Sequence, residues 1–237
     1  MMISKATNDF SNFDFTNGEV ILIDKDLHAS SFNVVYKLRK ITGIKKIGHA
    51  GTLDPLATGL LIICTGKKTK EISHFQDLKK VYSGKIILGK RTASMDAETD
   101  VIEEHDTSDI TLEKIISVKE AFVGKIEQTP PMYSAVKHKG KSLYKYARKG
   151  VEIERNSRSV EIYDFEISNY VDPEIHFRIS CSKGTYIRAI ANDLGDKLGC
   201  GGYLKELRRE AIGQYNVDVA FTIKEFEKEF NSITVDK

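Results

Sequence analysis

The chain has 237 residues, of which 41% are hydrophobic and 30% are charged, a composition typical of a globular protein with a buried core. Its formal net charge of +2 excludes a strongly basic protein of the kind that coats nucleic acids, so any binding of polyanions must come from local clusters of basic residues. No apolar run reaches the roughly 18 residues of a membrane helix, and the N-terminal segment lacks the basic and apolar regions of a secretory signal.

The first half of the chain alternates short apolar runs with amphipathic segments. Residues 1–18 are polar and predict a flexible leader. Short strands are predicted over residues 20–23, 60–64 and 80–89. Ser30 or Ser31 is expected to cap a helix, and further helices are predicted around residues 72–78 and 112–122. Residues 91–110 are polar and acidic and predict a loop.

The second half contains one segment of distinct composition. Residues 124–158 are rich in Lys, Arg and Tyr, and they include no acidic residue between Met132 and Gly150. Two strands, a helix ended by Gly199 and a last helix after Phe221 are predicted to follow. Because this order lacks a steady βαβ rhythm, we predict an α+β fold with a mixed, mostly antiparallel sheet flanked by helices. No linker is evident, so residues 19–237 are expected to form one domain.

The three cysteines are Cys64, Cys181 and Cys200. Their number is odd, their spacing is wide, and they form no CxxC pair, so they indicate neither a disulfide framework nor a zinc site. Reduced thiols are typical of the cytosol, and we therefore predict a cytoplasmic protein.

Residues 48–59, GHAGTLDPLATG, form an unusual glycine-rich segment around one acid, and we call it the Asp54 loop. Its glycines match neither the Walker spacing nor a dinucleotide fingerprint. Two interpretations remain open on the residues alone. The glycines serve tight turns and Asp54 with Pro55 opens a helical turn, or Asp54 is a nucleophile. A carboxylate with an ordinary pKa of about 3.9 is ionised at neutral pH and needs no adjacent base.

The Asp54 loop resembles the catalytic motif of the TruB-type tRNA pseudouridine synthases. Four other segments resemble further parts of that family in the family's order: residues 80–82 with Leu88-Gly89, residues 127–150, residues 182–188 and residues 207–209. The resemblance covers about residues 18–215. It implies a pseudouridine synthase fold with a small RNA-binding insertion at about residues 124–158. The implied activity is the isomerisation of uridine 55 in the tRNA T-loop after base flipping, without a cofactor or metal.

The resemblance also implies residue roles. Asp54 is the nucleophile. Three mechanisms stay open: Asp54 attacks the sugar C1′, acts on the base or assists a glycal route. Tyr82 stacks on the target base and handles the proton that leaves C5. Arg188 pairs with Asp54 and lowers the pKa of the carboxyl group. Substrate contacts are implied for His49, Tyr186, Leu207 and Lys25. For these residues the pattern alone leaves a purely structural role open.

RNA binding is expected at the basic, tyrosine-rich segment of residues 132–149, where phosphate contacts and base stacking are available. A solvated cationic face is the simpler alternative for such a charge run. Five other lysines are expected to strengthen the positive electrostatic field of this segment: Lys67, Lys68, Lys79, Lys80 and Lys85.

The chain departs from the family at its first motif. The family has D-K-P-x-G-x-[ST]-S, whereas residues 24–31 read DKDLHASS, so Asp26 and His28 replace the proline and the glycine. The support that Lys25 gives to the Asp54 loop is thereby put in question. Many relatives also continue into a C-terminal PUA domain, for which 237 residues leave no room. Recognition is therefore expected to rest on the T-arm, bound by a monomer.

Two other classes compete with the enzyme. A non-catalytic tRNA-binding protein on the same fold is one rival, and the presence of Asp54, Tyr82 and Arg188 argues against it. An RNA glycosylase or nuclease is the other, and the sequence offers no paired carboxylates or metal ligands for it.

Overall fold

The computed structural model of the chain describes residues 2–7 and 13–235. The helices are α1 (Ser31–Thr42), α2 (Ile72–Asp77), α3 (Leu112–Lys119), α4 (Leu143–Ala147), α5 (Ile187–Leu198) and α6 (Ile223–Val235). The strands of the first half are β1 (Met2–Ile3), β2 (Val20–Lys25), β3 (Ile47–His49), β4 (Ala57–Thr65), β5 (Lys80–Leu88), β6 (Lys90–Thr92) and β7 (Val101–Glu104). The remaining strands are β8 (Gly124–Gln128), β9 (Lys137–His138), β10 (Lys141–Ser142), β11 (Arg158–Val171), β12 (Glu174–Cys181), β13 (Gly202–Ile212) and β14 (Tyr215–Asn216).

The chain divides into two compact units. The domain bounds expected over residues 19–237 stay a prediction. Unit 1 comprises Met1–Tyr82 and Arg208–Lys237, and unit 2 comprises Ser83–Leu207. The boundary falls inside β5 and β13. In the part of the chain that the structure describes, no helix is long and apolar enough to cross a membrane.

Unit 1 is built on a sheet in which β2 pairs with β4 in antiparallel register, from Val20↔Cys64 to Lys25↔Gly59. Strand β1 adds a parallel pair to β2, and β3 pairs antiparallel with β4. One face of this sheet packs against α1 and α6, and the other packs against a second apolar cluster that includes Phe75 and Ile212. Because both faces are covered, the strands are continuously apolar and show no alternation.

The leader predicted over residues 1–18 is partly ordered. Ile3 pairs with Ile21 and is fully buried. Phe15 packs edge-on against Phe226 and Phe230, with ring centroids 6.4 and 5.4 Å apart. Apolar side chains within the polar segment thus complete the core of unit 1. Residues 1 and 8–12 of the predicted leader lie outside the described residues.

Unit 2 contains the antiparallel pairs β11–β12 and β11–β8. Helix α3 packs against α5 and β11, and the rings of Phe122, Phe165 and Phe177 contact one another edge-on in the core. Apart from the β1–β2 pair, the strand pairs named here are antiparallel, which confirms the predicted α+β fold with a mixed sheet.

Two segments of unit 2 differ from the sequence prediction. The loop expected over residues 91–110 contains β7, which forms a hairpin with β6 through the ion pairs Lys90–Glu104 at 3.3 Å and Arg91–Glu103 at 3.2 Å. The insertion expected at about residues 124–158 begins with β8, which belongs to the main sheet of this unit. The segment outside that sheet is therefore residues 129–157.

Candidate active site

The Asp54 loop connects β3 to β4 in unit 1. The Ala57 backbone N–H donates to the Asp54 carbonyl oxygen at 3.0 Å and closes a turn that has Pro55 at its second position, where the fixed φ of proline is favourable. The turn leads into β4. The tight-turn interpretation is thus confirmed, and the idea that Asp54 opens a helix is wrong.

Gly59 lies where β4 leaves the loop. Its φ is +103°, a left-handed value that favours glycine, and a Cβ at this position would collide with the backbone of Arg209 on β13. The glycine therefore allows β13 to pass directly beside the loop.

Two buried side chains hold the backbone of the loop. The Ser31 hydroxyl accepts a hydrogen bond from the Leu53 N–H at 2.9 Å and donates to the Leu53 carbonyl at 3.2 Å. Arg209, only 1% exposed, donates to the Gly51 carbonyl at 3.2 Å and to the Leu60 carbonyl at 2.7 Å. Backbone groups on both sides of Asp54 are therefore fixed by residues that are distant in sequence.

Lys25 supports the same loop from β2. Its ammonium group donates to the carbonyl oxygens of Ala29 at 2.6 Å, Asp26 at 3.0 Å and Pro55 at 3.5 Å. Burial lowers the pKa of Lys25 to about 8, although the charges of Asp26 and Asp54 oppose this shift. The side chain is fully buried, and the substrate contact predicted from the sequence stays a prediction. Its contacts are those of a residue that positions the loop.

The altered segment of residues 26–28 also reaches the loop. The His28 N–H donates to the Pro55 carbonyl at 2.8 Å. His28 has a φ of +65°, in the left-handed region that favours glycine, the residue that the family motif places here. The contact to the loop is thus present without the motif's proline and glycine, and His28 adopts the backbone conformation that the glycine would adopt at less cost.

His49 and Tyr82 are the other predicted site residues of unit 1. His49 is half-buried on β3, and burial lowers the pKa of its imidazole below the ordinary value, so the ring is neutral at pH 7. Tyr82 lies on β5 and is 9% exposed. Unit 1 therefore brings Lys25, His49 and Asp54 to one loop cluster on the β2–β4 sheet.

Arg188 is held in unit 2, in the first turn of α5. Its guanidinium donates to the carbonyl oxygens of Ser94 at 3.1 Å and Tyr133 at 2.8 Å. It also forms an ion pair with Asp96, with 3.5 Å between Nε and Oδ2. Both side chains are less than a tenth exposed. The predicted pairing of Arg188 with Asp54 joins residues of different units and stays a prediction.

Tyr186 precedes α5 and is fixed by a buried amide. Gln128 accepts from the Tyr186 N–H at 2.7 Å and donates to the Tyr186 carbonyl at 3.0 Å. The guanidinium of Arg158 lies 4.7 Å from the centre of the Tyr186 ring. Leu207, on β13, is half-buried. Arg188, Tyr186 and Leu207 all lie in unit 2.

Several supporting residues have no clear signal in the sequence. The local sequence pattern predicts a helix cap at Ser30 or Ser31, and Ser30 occupies this position by accepting from the Asn33 N–H at 3.0 Å. Asp96 lies in the segment predicted as an irregular acidic loop. Such roles arise from contacts between residues far apart in the chain, which local patterns do not encode.

The basic insertion carries two kinds of side chain. Its exposed cations are Lys137, Lys139, Lys141, Lys145, Arg148 and Lys149. Its tyrosines are half-buried: Tyr133 and Tyr144 pack edge-on at 5.8 Å, and Tyr146 packs on His138 at 6.0 Å. The cations therefore face solvent, whereas the rings are engaged in the fold of the segment.

The five additional lysines that are predicted to strengthen the positive field of the insertion differ in burial and ion pairing. Lys80 is buried, and its ammonium donates to the carbonyls of Leu78, at 2.6 Å, and Gln76. Lys85 forms ion pairs with Glu174 and Glu206, both at 3.4 Å. The prediction is therefore wrong for Lys80, and Lys85 is largely neutralised. The ammonium of Lys68 pairs with Glu71 at 2.7 Å, while Lys67 and Lys79 are exposed.

The predicted site residues carry carboxylate, phenol, imidazole and guanidinium groups. Within the described ranges, no group of three or more His, Cys, Asp or Glu side chains could hold a metal ion. Cys64, Cys181 and Cys200 are buried free thiols, and burial raises the pKa of Cys64 to about 12.

Comparison with known proteins places these motifs in one family. Residues 39–187 match the TruB family pseudouridylate synthase (N terminal domain), and residues 188–235 match the tRNA pseudouridylate synthase B C-terminal domain. The protein named tRNA pseudouridine synthase B of Chloroherpeton thalassium is 50% identical over 214 residues, which cover 88% of this chain and 89% of the relative. The protein of the same name from Flavobacterium johnsoniae is 47% identical over 222 residues, covering 91% and 97%.

Solved structures agree on the fold. A chain in the crystal structure of a Cbf5-Nop10-Gar1 complex aligns with a TM-score of 0.73 and 26% identity, over 99% of this chain and 64% of that chain. A chain of an H/ACA RNP bound to a substrate RNA aligns with a TM-score of 0.70 and 25% identity, over 94% and 56%. This chain thus spans less than two thirds of those two. The two family matches, together covering the Asp54 loop and the Arg188 helix, show that the chain belongs to the TruB family of pseudouridylate synthases.

Proposed function

We propose that the protein isomerises uridine to pseudouridine at position 55 in the T-loop of tRNA. Family membership supports the reaction type. The observation that carries the proposal is the construction of the Asp54 loop, in which Lys25, Ser31 and Arg209 fix the backbone on both sides of one carboxylate. A nucleophile held in this way loses little freedom when it reacts.

The reaction needs no external reagent. The N1–C1′ glycosidic bond breaks, the uracil turns, and a C5–C1′ bond forms. The proton lost from C5 is balanced by the proton gained at N1, so the product is an isomer of the substrate. In this scheme Asp54 acts in its ionised form, either at C1′, at the base, or as an assistant to a glycal route.

Tyr82 is assigned a role at the target base. Arg188 is assigned to stabilise the negative charge of Asp54. Tyr82 stacks on the flipped uracil and handles the C5 proton. Arg188 keeps Asp54 ionised, and its own ties to Asp96 and to two carbonyls hold the guanidinium ready for this task. The uridine must leave its stack to reach these groups, at a cost of a few kcal/mol. His49, Tyr186 and Leu207 are assigned to the pocket around the flipped nucleotide.

The exposed cations of the insertion are assigned to the phosphates of the T-arm. Neutralising phosphates on a single-stranded loop releases counterions, so log Kd should depend on log salt with a slope of about 0.7 per phosphate. We further propose that the protein acts on tRNA as a monomer in the cytoplasm. Size-exclusion chromatography with light scattering tests the oligomeric state.

Tritium release from a tRNA transcript labelled at uridine C5 tests the function, because the C5 hydrogen is lost only when C5 becomes bonded to the sugar. The wild type should release tritium, and Asp54→Asn should bind the transcript without release. A transcript with cytidine at position 55 should remain unreacted in its T-loop. Tight binding by the wild type with no release would support the non-catalytic rival and overturn the enzyme assignment.

A further inference from the structure

A second stretch of the chain lacks acidic residues as completely as residues 133–149 of the insertion do. Between Asp26 and Asp54 there is no Asp or Glu, and the basic residues in this stretch are Lys37, Arg39, Lys40, Lys45 and Lys46. The stretch runs through α1 and into the Asp54 loop. A polyanion is therefore the partner that its charge complements.

One face of α1 is exposed and aromatic. Phe32 is 64% exposed and Tyr36 is 50% exposed, whereas Val34, Val35 and Leu38 on the other side are buried in the core of unit 1. Residues four positions apart lie on the same side of a helix, about 5–6 Å apart. We call the exposed set Phe32, Asn33, Tyr36, Lys37 and Lys40 the α1 outer face.

The aromatic rings of the α1 outer face differ from those of the insertion. The insertion tyrosines are half-buried and pack on each other or on His138. On α1 the ring of Tyr36 is half exposed, and the ammonium of Lys40 lies 4.8 Å from the ring centre. Exposed aromatics beside cations are the combination that stacks unpaired bases and neutralises their phosphates.

The α1 outer face adjoins the candidate active site within unit 1. Its helix begins at Ser31, whose hydroxyl binds the backbone of Leu53. The backbone N–H of His28, three residues before the helix, donates to the Pro55 carbonyl at 2.8 Å. Phe32 therefore lies one residue from a side chain that holds the loop of the nucleophile.

We propose that the α1 outer face is a second RNA-binding surface, on which unpaired bases stack on Phe32 and Tyr36 while Lys37 and Lys40 contact phosphates. This proposal rests on the proposed function, since the RNA is the substrate. RNA is favoured over a protein partner because the rings lie in a stretch of 27 residues, from 27 to 53, without an acid.

Equilibrium binding of the unmodified tRNA transcript to Phe32→Ala and Tyr36→Ala tests the proposal. Loss of one stacked base should raise Kd about fivefold or more, and the double variant should lose more. The single-turnover rate at saturating enzyme should stay at the wild-type value, since the rings act in binding. Tyr36→Phe keeps the ring and should bind as the wild type does. Lys40→Gln should reduce the salt slope by about 0.7.

Tyr163→Ala is the matched control, because Tyr163 is an exposed tyrosine, 47% accessible, on β11 of unit 2. Its Kd should equal that of the wild type. Unchanged Kd in the two α1 variants, or an equal loss in Tyr163→Ala, would overturn the proposal. So would a change of oligomeric state with unchanged tRNA affinity, which indicates a protein contact. If the wild type binds through these rings but releases no tritium, the proposed function fails and this surface stands.

Discussion

The Asp54 loop of unit 1 and the Arg188 side chain of unit 2 are both held by several polar contacts, but the contacts are made in opposite ways. Asp54 is positioned from outside, because Lys25, Ser31 and Arg209 bind the backbone around it. Arg188 is positioned by its own side chain, which donates to two carbonyls and pairs with Asp96.

This difference determines how each region can be probed. In unit 1 the supporting side chains can be changed while Asp54 keeps its chemistry. In unit 2 the replacement of Arg188 by a neutral residue removes the charge and its hydrogen bonds together, so Asp96 is the residue that separates the two roles. The predictions below use this contrast, beginning with the largest expected effect.

Arg209→Met should lower the free energy of unfolding by about 3 kcal/mol. Methionine fills much of the volume, but the carbonyls of Gly51 and Leu60 lose their donor, at about 1–3 kcal/mol for each buried group. Urea unfolding measures the change. The adjacent Arg208→Met is the control, since Arg208 is 38% exposed in its ion pair with Asp24 and should cost about 1 kcal/mol or less. Equal losses in the two variants would show that Arg209 has no special role in the loop.

Lys25 should give the protein a stability that rises with pH. Its pKa is about 8 in the folded chain and has an ordinary value of 10.5, so between these values the unfolded chain binds more protons. Stability therefore increases as pH rises through this window, by about 2 kcal/mol between pH 8 and pH 9.5. The measurement is the difference in urea stability between the wild type and Lys25→Met at pH 7.5 and pH 9.5, which cancels other titrating groups. If the stability difference between the two proteins were the same at both pH values, it would contradict the lowered pKa of the buried Lys25.

Asp96→Asn should reduce kcat about tenfold, or about 1.4 kcal/mol, with little change in KM. Asparagine keeps the size of the side chain but removes the charge that pairs with Arg188, so the guanidinium keeps its two carbonyl partners and is oriented less precisely. Stability should fall by less than in Arg209→Met. Asp100→Asn, an exposed acid of the same segment, should behave as the wild type. If Asp96→Asn lowered only stability, its ion pair with Arg188 would be structural and the contrast between the regions would disappear.

The sequence predicts the elements whose signals are local. Strands β2 and β4 follow from continuous apolar runs, and α1 follows from its serine cap and its amphipathic pattern. The Asp54 loop is also found from local features, since its glycines and its Asp-Pro pair predict a turn.

The rest depends on contacts between distant parts of the chain. Arg209 binds Gly51 across 158 positions, and Ser31 binds Leu53 across 22. Ile3 is a short apolar signal in a polar segment, and only its pairing with Ile21 makes it part of the core. The β6–β7 hairpin is held by cross-strand ion pairs, which hydrophobic periodicity does not register. Side chains that support a site are therefore harder to predict than the site's own motif.

The smallest expected effect concerns the segment that departs from the family motif. His28 has a φ of +65°, a conformation that costs a side-chain-bearing residue about 1–2 kcal/mol, and its N–H bonds the Pro55 carbonyl. Glycine relieves this strain but makes the unfolded chain more flexible, so His28→Gly should gain about 0.5 kcal/mol. His28→Ala retains the strain and should gain nothing. Urea unfolding of the three proteins measures these differences. A loss of stability in His28→Gly would mean that the imidazole makes a contact worth more than the strain, and the Asp54 loop would then have one more side-chain support in unit 1.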